Sequence, residues 1–317
     1  MKEKVKKVAR KETPIFELDA FSPKASWTDF YIEDLKSHIK THKFIQHPHK
    51  HDFYLVLYVA QGKGTHTIDF TKYTVRPNSV FLMTPGQVHS WNLDQATEGI
   101  IIFFTRAFYQ MQNVASNLME FPFFHSLDAS PVIKLDTADT VDFVFRRMLQ
   151  EYSQSSKPDH RLLRAYLDVM LLEAAKHYKR TGTVRTHAST FKLRKLEQLI
   201  EENFKTLKQP SDYASQMALA PAYLNSICKE NVGKTLTELI QSRVLLEAKR
   251  LFAYSDLNVN EVAAMLNFSE TSYFIRWFRK QSGLTPEAFR AAQTVKDRLS
   301  NVSEKSTSPR ENSPSCA

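Results

Sequence analysis

The chain contains few cysteines and no long apolar segment. Cys228 and Cys316 are its only cysteines among 317 residues, which excludes a disulfide framework and a cysteine-rich metal cluster. The run at residues 100–104 is among its longest apolar stretches, far short of the roughly 18 residues that a membrane-spanning helix needs. The basic N-terminus is not followed by the apolar stretch of a secretion signal. We therefore expect a soluble cytoplasmic protein without a membrane partner.

Composition and charge set broad limits on the function. A hydrophobic content of 42% with 12% aromatic residues excludes a wholly disordered chain, and the length suits two domains, each with its own core. The net charge of +9 favours an anionic partner without identifying it. Much of that charge lies in the first eleven residues, an arm that could clasp DNA, dock on the C-terminal region or remain solvated. A nucleic-acid partner must therefore be argued from pattern.

Residues 53–105 have the pattern of short β-strands. The runs FYLVLYVA, THTIDF, SVFLM and GIIIFF are rich in β-branched and aromatic residues, and glycine or proline separates them. Short strands at this spacing predict a small antiparallel barrel or jelly roll, which we place at about residues 44–105.

The pattern changes to that of helices after the barrel. Apolar residues recur at steps of three and four over residues 138–179, which predicts two amphipathic helices with a break at residues 153–158. The predicted fold class is α+β, a β-barrel with helices followed by an all-α domain. The predicted order is an N-terminal domain (1–180), a polar linker (181–190), a helical domain (191–296) and a disordered tail (297–317).

The helical domain contains one segment twice. Residues Tyr223 to Gly233 align with Tyr273 to Gly283, fifty positions further on. Each copy follows a short alanine-bearing helix and ends at a glycine, so each predicts a short helix, a tight turn and a longer helix. This is the order of a helix-turn-helix, and two such units indicate a protein that reads DNA.

The second unit predicts one apolar face and one polar face. Asn258 with Glu261 forms a capping box for the first helix, and Ser269 is expected to cap the second, which ends near Ser282. The second helix should bury Phe274, Trp277 and Phe278. Its opposite face suits a major groove, because arginine pairs with guanine and hydroxyls bond several bases. The predicted DNA contacts there are Thr271, Ser272, Ile275, Arg276 and Arg279.

The first unit predicts a parallel arrangement, in which asparagine could bond adenine through two atoms. Its inward residues are Leu224 and Ile227, and its predicted DNA contacts are Ala222, Asn225, Ser226 and Lys229. A helix of some 18 residues that begins near Thr235 would be roughly 27 Å long. It could set the two recognition helices about 34 Å apart, one DNA turn, on one face of the duplex.

A longer spaced pattern covers nearly all of the helical domain. It consists of Arg243, Lys249, Arg250 and Leu251, followed by Val262, Ala263, Phe268, Ser272, Tyr273, Phe274, Arg276, Phe278, Arg279, Gly283, Thr285, Pro286, Phe289 and Arg290. This pattern resembles the signature of the AraC/XylS family of bacterial transcription regulators. Asn267 stands where that family usually has glycine, and asparagine tolerates the left-handed conformation of such a turn. The resemblance implies that the outward residues contact DNA, although some of them could bind only phosphate or solvent.

The N-terminal domain is similar to the cupin-type sensor that many such regulators carry. The resemblance rests on HPHKHDFYLVLYVAQGKGTHTIDF and PGQVHSW, and it implies a barrel that holds one small-molecule effector. Tyr54, Phe81, Trp91 and Phe103 are available to line the interior. The predicted effector-binding residues are His49, His51, Tyr54, His89 and Trp91.

The three histidines of this set resemble the ligands of cupin metalloenzymes. The glutamate that such enzymes place a few residues after the H-x-H pair is missing here. Three neutral imidazoles would still suffice for zinc, but we expect no metal and no cofactor, and histidines that are structural or touch the effector. His47 and His66 are expected to have no special role.

These observations predict a DNA-binding regulator without catalytic residues, which answers to a small molecule such as a sugar or another metabolite. The family favours activation, RNA polymerase as a partner and a homodimer formed through the helices of residues 138–179. One interpretation of the stripe Leu162, Tyr166, Leu167 and Met170 is pairing with a second protomer, and the other is completion of the barrel core. The alternatives are a cupin-type metal-binding enzyme and a constitutive DNA-binding protein whose barrel only dimerises.

Overall fold

A computed structural model describes residues 13–21, 29–43, 47–111, 118–124, 129–136, 139–154, 158–178 and 187–293. The chain divides into two compact units, whose described parts lie within residues 13–240 and 241–293. The basic arm and the predicted tail lie outside the described residues. So do residues 181–186 of the predicted linker, whereas residues 187–190 are helical and the prediction of a linker there is wrong.

Two antiparallel sheets form the centre of the first unit. The strands are β1 (Ile15–Phe16), β2 (Phe30–Asp34), β3 (Lys50–His51), β4 (Tyr54–Gln61), β5 (Gly64–Ile68), β6 (Thr71–Val75), β7 (Ser79–Met83), β8 (His89–Leu93), β9 (Glu98–Phe104) and β10 (Val132–Lys134). The larger sheet has the order β10-β7-β4-β9-β2, the smaller has the order β6-β5-β8, and β1 pairs in parallel with β3. The predicted antiparallel architecture is confirmed, but β2 and β10 extend it beyond the predicted range of residues 44–105.

The five-stranded sheet is buried on both faces. Along β4, Leu55, Leu57 and Val59 pack toward the three-stranded sheet, in one cluster with Trp91. The alternate residues of β4 pack in a second cluster with the helices that follow the barrel. Successive side chains of a strand point to opposite faces, and both faces of this sheet are covered, so both sets are apolar. The sequence therefore shows a continuous apolar run without visible alternation.

Helix α1 (Leu35–Thr41) packs Leu35 into the cluster between this sheet and the three-stranded sheet. The outer face is covered by α2 (Arg106–Gln110), α3 (Asp139–Gln154) and α4 (His160–His177). The two predicted helices are thus confirmed. Of the predicted break at residues 153–158, residues 153 and 154 still belong to α3, and residues 155–157 lie outside the described residues. Phe145 of α3 stacks on Tyr58 of β4 at a ring-centroid distance of 5.1 Å, and such a pair contributes about 1 kcal/mol beyond its burial.

The predicted dimer stripe on α4 is wrong in part. Leu167 and Met170 are fully buried in the core of their own protomer. They lie on the same face of α4 as Leu163, at successive helical turns, and this face packs against the barrel. The large apolar residues that α4 exposes are Leu162, Val169 and Leu172.

The remaining helices contain the repeat. Helix α5 (His187–Asn203) precedes its first copy, which consists of α6 (Pro210–Gln216) and α7 (Pro221–Val232). Helix α8 (Leu236–Tyr254) begins directly after Thr235, near the predicted start, and the Glu238 backbone N–H donates to Thr235 Oγ1 at 3.1 Å. After it come α9 (Val259–Met265) and α10 (Thr271–Ser282), and residues 286–293 are again helical.

We predict that Gly99→Ala destabilises the barrel strongly. A Cβ atom on Gly99 would lie 2.0 Å from the carbonyl oxygen of Tyr58 and 3.2 Å from the Cα of Val59. Both are backbone atoms of the neighbouring strand, so β4 and β9 must separate. We expect urea denaturation to show a loss of about 3 kcal/mol.

Gly283→Ala is the matched control. Nothing lies within 4 Å of its Cβ position, but its φ is +78°, so the expected loss is about 1 kcal/mol from the left-handed backbone alone. Equal losses in the two variants would contradict the close approach at Gly99.

Candidate functional site

The two copies of the repeat fold alike. Helices α6 and α9 each have seven residues, and α7 and α10 each have twelve. Gly233 and Gly283 end the longer helices in the left-handed conformation, and their N–H groups donate to Lys229 O and Arg279 O at 3.0 and 2.9 Å. Each αL glycine satisfies a carbonyl at a helix C-terminus, which is the reason for the repeated glycine.

The turns within the units contain a second left-handed residue. Asn267 has a φ of 55°, the left-handed conformation that asparagine was expected to tolerate there. Ala218, in the first copy of the repeat, has a φ of 52°. The predicted capping box of Asn258 and Glu261 is confirmed. The N-cap of α10 is Glu270, without a side-chain cap, so the prediction that Ser269 caps this helix is wrong.

Helix α10 has the predicted division of faces. Phe274 and Phe278 are fully buried, Trp277 is nearly so, and Phe268 from the preceding turn lies 5.0 Å from the Phe274 ring. On the other side Ser272, Arg276 and Arg279 are exposed, and Thr271 and Ile275 are half-buried. The docked aromatic face fixes the helix, so the outward residues stand on a rigid support.

Helix α7 buries Leu224, Ile227 and Cys228, and it exposes Ala222 and Lys229. Asn225 is half-buried, and its Oδ1 accepts the backbone N–H of Leu236 at 3.0 Å, which satisfies a donor at the start of α8. Bidentate contact with adenine requires that oxygen together with Nδ2. Asn225 therefore helps to position the start of α8, and its predicted contact with adenine stays a prediction, because the second lone pair of Oδ1 can still accept a bond.

Ser226 also bonds within α7. Its Oγ donates to Tyr223 O at 2.8 Å, a bond that leaves the oxygen lone pairs available. The side chains of Tyr223 and Tyr273 occupy equivalent positions in the repeat and are both about half exposed. They are part of the outward surface that the sequence analysis did not include, although the alignment of the two copies shows them.

Four histidines meet in the barrel interior because of strand pairing. His49 and His89 exchange both backbone hydrogen bonds, at 3.0 and 2.8 Å, so their side chains lie on one face. His51 follows two positions later on the same face. His66 of β5 lies opposite Trp91, diagonally next to His89. All four histidines are buried.

The histidine rings contact one another directly. His51 Nε2 lies 2.9 Å from His89 Nε2, and His89 Nδ1 lies 3.0 Å from His66 Nε2. His49 Nδ1 lies 2.7 Å from His47 O. One ring nitrogen each from His49, His51 and His89 lies within 4.8 Å of the other two. The prediction that His66 has no special role is therefore wrong; the signal was the alternation T-H-T-I, which places His66 in phase with the buried Ile68.

The effector prediction for Tyr54 is also wrong. Tyr54 points away from the histidines, because it lies on the helix-covered face of β4, where its ring stacks on Phe104 at 5.3 Å. Phe81, Trp91 and Phe103 do face the interior, as expected. The indole Nε1 of Trp91 is buried and, among the described residues, has no hydrogen-bond partner.

A second histidine cluster lies at α1. One ligand atom each from Glu33, His38 and His42 also lies within 4.8 Å of the other two, but the Tyr31 hydroxyl contacts two of these residues. It lies 2.8 Å from His38 Nδ1 and donates to Glu33. The Glu33 carboxylate therefore already accepts a hydrogen bond within this cluster.

Burial keeps the barrel histidines neutral. Loss of solvation lowers the pKa of His49 to about 4. Burial, together with the neighbouring imidazoles, holds the pKa of His51, His66 and His89 well below the usual value. Neutral imidazoles are the form that binds metals and accepts hydrogen bonds.

We predict that acid destabilises the metal-free barrel. Histidines in the unfolded chain bind protons below a pH of about 6.5, whereas folded His49 binds one only near pH 4. The unfolded state therefore holds more protons in this range, and stability falls as the pH drops through it. His49 alone gives a loss of about 3 kcal/mol.

Urea denaturation with chelator at pH 7.5, 6, 5 and 4.5 measures this slope. His47→Gln removes the exposed side chain of His47 and should leave the slope as it is. A free energy of unfolding that stays constant across the series contradicts the neutral buried cluster.

Known proteins resemble both parts of the chain. An AraC-like ligand binding domain matches residues 32–167 and a helix-turn-helix domain matches residues 213–292. The chain is 22% identical over 254 residues to the uncharacterized HTH-type transcriptional regulator YfiF of Bacillus subtilis, covering 77% of this chain and 78% of that protein. It is 21% identical to the HTH-type transcriptional activator RhaR of Cronobacter sakazakii, covering 76% and 86% of the two chains.

Among solved structures, ToxT from Vibrio cholerae aligns with a TM-score of 0.42 at 11% identity, over 83% of this chain and 98% of that one. None of the helices in the described part of the chain has the length and apolarity that crossing a membrane requires. The two family matches fall on the barrel with its helices and on the helical repeat. The protein belongs to the AraC family of transcriptional regulators, with an N-terminal ligand-binding domain and a C-terminal helix-turn-helix DNA-binding domain.

Proposed function

We propose that α10 reads bases in the major groove through Arg276, with Thr271, Ser272, Ile275 and Arg279 beside it. The observation that carries this proposal is the amphipathic character of α10. Its aromatic side is docked in the core, and the guanidinium of Arg276 is exposed. Within the described residues, Arg276 makes no ion pair, so its donors are available to guanine.

The second recognition helix in this proposal is α7. Ala222, Ser226 and Lys229 form its DNA-facing surface, and Asn225 supports it by holding the start of α8. Helix α8 has 19 residues, about 28 Å at the usual rise. We propose that it is the connector between the two helix-turn-helix units.

We propose that the effector site lies in the barrel at His49, His51, His89 and Trp91. The unpartnered nitrogens of His49 and Trp91 support this placement, because buried polar atoms usually have a partner. An effector with unequal affinity for two states of the protein suffices for regulation. We assign no reaction to the protein.

The proposed mode of regulation is supported by the name of one relative. RhaR is named an activator, and we propose that this chain also activates transcription, through contact with RNA polymerase. A protein that reads DNA in bacteria works in the cytoplasm, which is the proposed location.

The exposed apolar side of α4 supports a homodimer. Leu162, Ala165, Val169 and Leu172 recur at steps of three and four and are all exposed, the spacing of a helix that packs against another helix. An open groove of about 560 Å³ lies along this side and is lined by Val169, Leu172, Glu173, Ala175 and Lys176. We propose that α4 of a second copy packs there.

We predict that Arg276→Ala reduces sequence discrimination by about 1–3 kcal/mol, because one base contact is lost. A duplex selected from a random pool and an unrelated duplex are compared in a gel-shift assay. Lys280→Ala is the control, since it removes the same charge from an exposed position of the same helix. It should weaken binding to both duplexes alike. Unchanged discrimination by Arg276→Ala would refute the base contact.

We predict that Leu172→Glu makes the protein monomeric. A carboxylate in the centre of an apolar helix contact would be desolvated without a partner. Sedimentation velocity measures the association state. Ile15→Glu, at another exposed apolar position, should leave the dimer intact. A Leu172→Glu protein that remains dimeric shows that α4 is not the interface.

A further inference from the structure

We infer that His49, His51 and His89 bind one divalent transition-metal ion through their Nε2 atoms, and that this ion is the effector of the barrel. His66 is the residue that positions His89 for this role. The inference rests on the proposed location of the effector site and names the chemistry of its ligand. It reverses the expectation from sequence that these histidines hold no metal.

The hydrogen bond of His49 directs one lone pair into the cluster. Because a carbonyl oxygen only accepts, the contact with His47 O places the proton of His49 on Nδ1. Nε2 then carries a lone pair, and it is buried without a hydrogen-bond partner among the described residues. A bound cation satisfies such an atom, and a hydrophobic ligand does not.

His89 has contacts at both of its nitrogens. Without metal, the two contacts fit a chain of neutral tautomers in which His66 Nε2–H donates to His89 Nδ1, and His89 Nε2–H donates to His51 Nε2. With metal, the His89 proton moves to Nδ1 and donates to His66 Nε2, which frees His89 Nε2 for the ion. The proton of His66 moves to its Nδ1, so the number of protons is unchanged. His66 thus orients His89 as an outer-shell partner of a metal ligand.

The dimensions suit a single ion. Zinc–imidazole bonds are about 2.0–2.1 Å long, so nitrogens in a tetrahedral site lie about 3.3 Å apart. The 2.9 Å between His51 and His89 must open slightly, and the separations of up to 4.8 Å must close by rotation of the rings. Three imidazoles with an open fourth position suit zinc, nickel, cobalt or copper.

The packing around the cluster favours an ion over a larger organic effector. The ring of His51 stacks on Phe53 at 4.4 Å, and Phe53 lies 4.6 Å from Phe103. His66 lies 4.9 Å from Phe81. These rings occupy the described interior between the two sheets, and an ion between three nitrogens requires no displacement of them.

The test uses the full-length protein without a histidine tag, stripped with chelator and titrated with Co²⁺. Visible absorption bands of Co²⁺ report tetrahedral nitrogen coordination. We expect one Co²⁺ per chain, displaced by Zn²⁺, and X-ray absorption of the zinc-loaded protein with imidazole scattering at about 2.0 Å. Absence of stoichiometric binding by the wild-type protein overturns the inference, whatever the variants do.

Three variants locate the site. His51→Asn should abolish binding, and His42→Gln, in the cluster at α1, should leave it unchanged. His66→Phe should weaken Co²⁺ affinity about 10–100-fold while the spectrum stays tetrahedral, as loss of an outer-shell partner does. His66→Gln keeps a hydrogen-bonding group and should restore part of that affinity. Binding that persists in folded His51→Asn, or equal affinity in His66→Phe and wild type, contradicts the assignment.

The effector role is measured separately. Gel-shift titration with the selected duplex, with and without saturating Zn²⁺, should show an affinity change of at least about 5-fold. Metal binding without that change overturns the effector role. Failure of the metal-free and metal-loaded protein to bind any selected duplex would instead contradict the proposed DNA contacts, while metal stoichiometry is read independently.

Discussion

The burial of the five-stranded sheet on both faces is the constraint on which the N-terminal half depends. Each residue of β4, β7 and β9 must point either to the three-stranded sheet or to α3 and α4, and both sides are apolar. This alternation sends Leu55 and Phe103 toward the histidines and Tyr54 and Phe104 toward the helices. It also commits Leu167 and Met170 to the core, so that only the far side of α4 remains for another protein.

The same rule of strand geometry concentrates imidazoles at one place. An H-x-H pair on a strand puts two rings on one face, and a backbone pair with His89 puts the third opposite the first. The resulting cluster is energetically demanding, since buried nitrogens need partners. His47 O and His66 supply two of them, and an ion would supply what the remaining nitrogens lack. The aromatic rings around the cluster restrict what else could enter.

The two copies of the repeat use residues at equivalent positions to fix their longer helices. Gly233 and Gly283 end α7 and α10 by the same backbone bond, and left-handed residues in the turns, Ala218 and Asn267, aim both longer helices. The two surfaces are not equivalent in chemistry. The exposed side of α7 carries small residues and a lysine, and the Asn225 side chain accepts a backbone N–H. The exposed side of α10 carries two arginines. Sequence preference should therefore come mainly from α10.

Much of this could be predicted from sequence. The helix pair at 138–179, the capping box at Asn258 and the buried face of Phe274 follow from periodicity and cap chemistry, and the structure confirms them. What sequence could not supply was pairing across the sheet. Without register, the face of Tyr54, the contact of His66 with His89 and the pairing of β2 with β9 were not visible. Long-range hydrogen bonds, such as that from Leu236 N to Asn225, likewise have no local signal.

The central claim is that both units of the repeat insert a helix into the major groove. Dimethyl sulfate probing of guanine N7 in the major groove and adenine N3 in the minor groove of a selected duplex, with the full-length protein bound, tests it most directly. We expect two protected major-groove segments for each bound chain, with the α10 segment lost in a variant that lacks its arginines. Protection of a single segment, or protection confined to the minor groove, would contradict it.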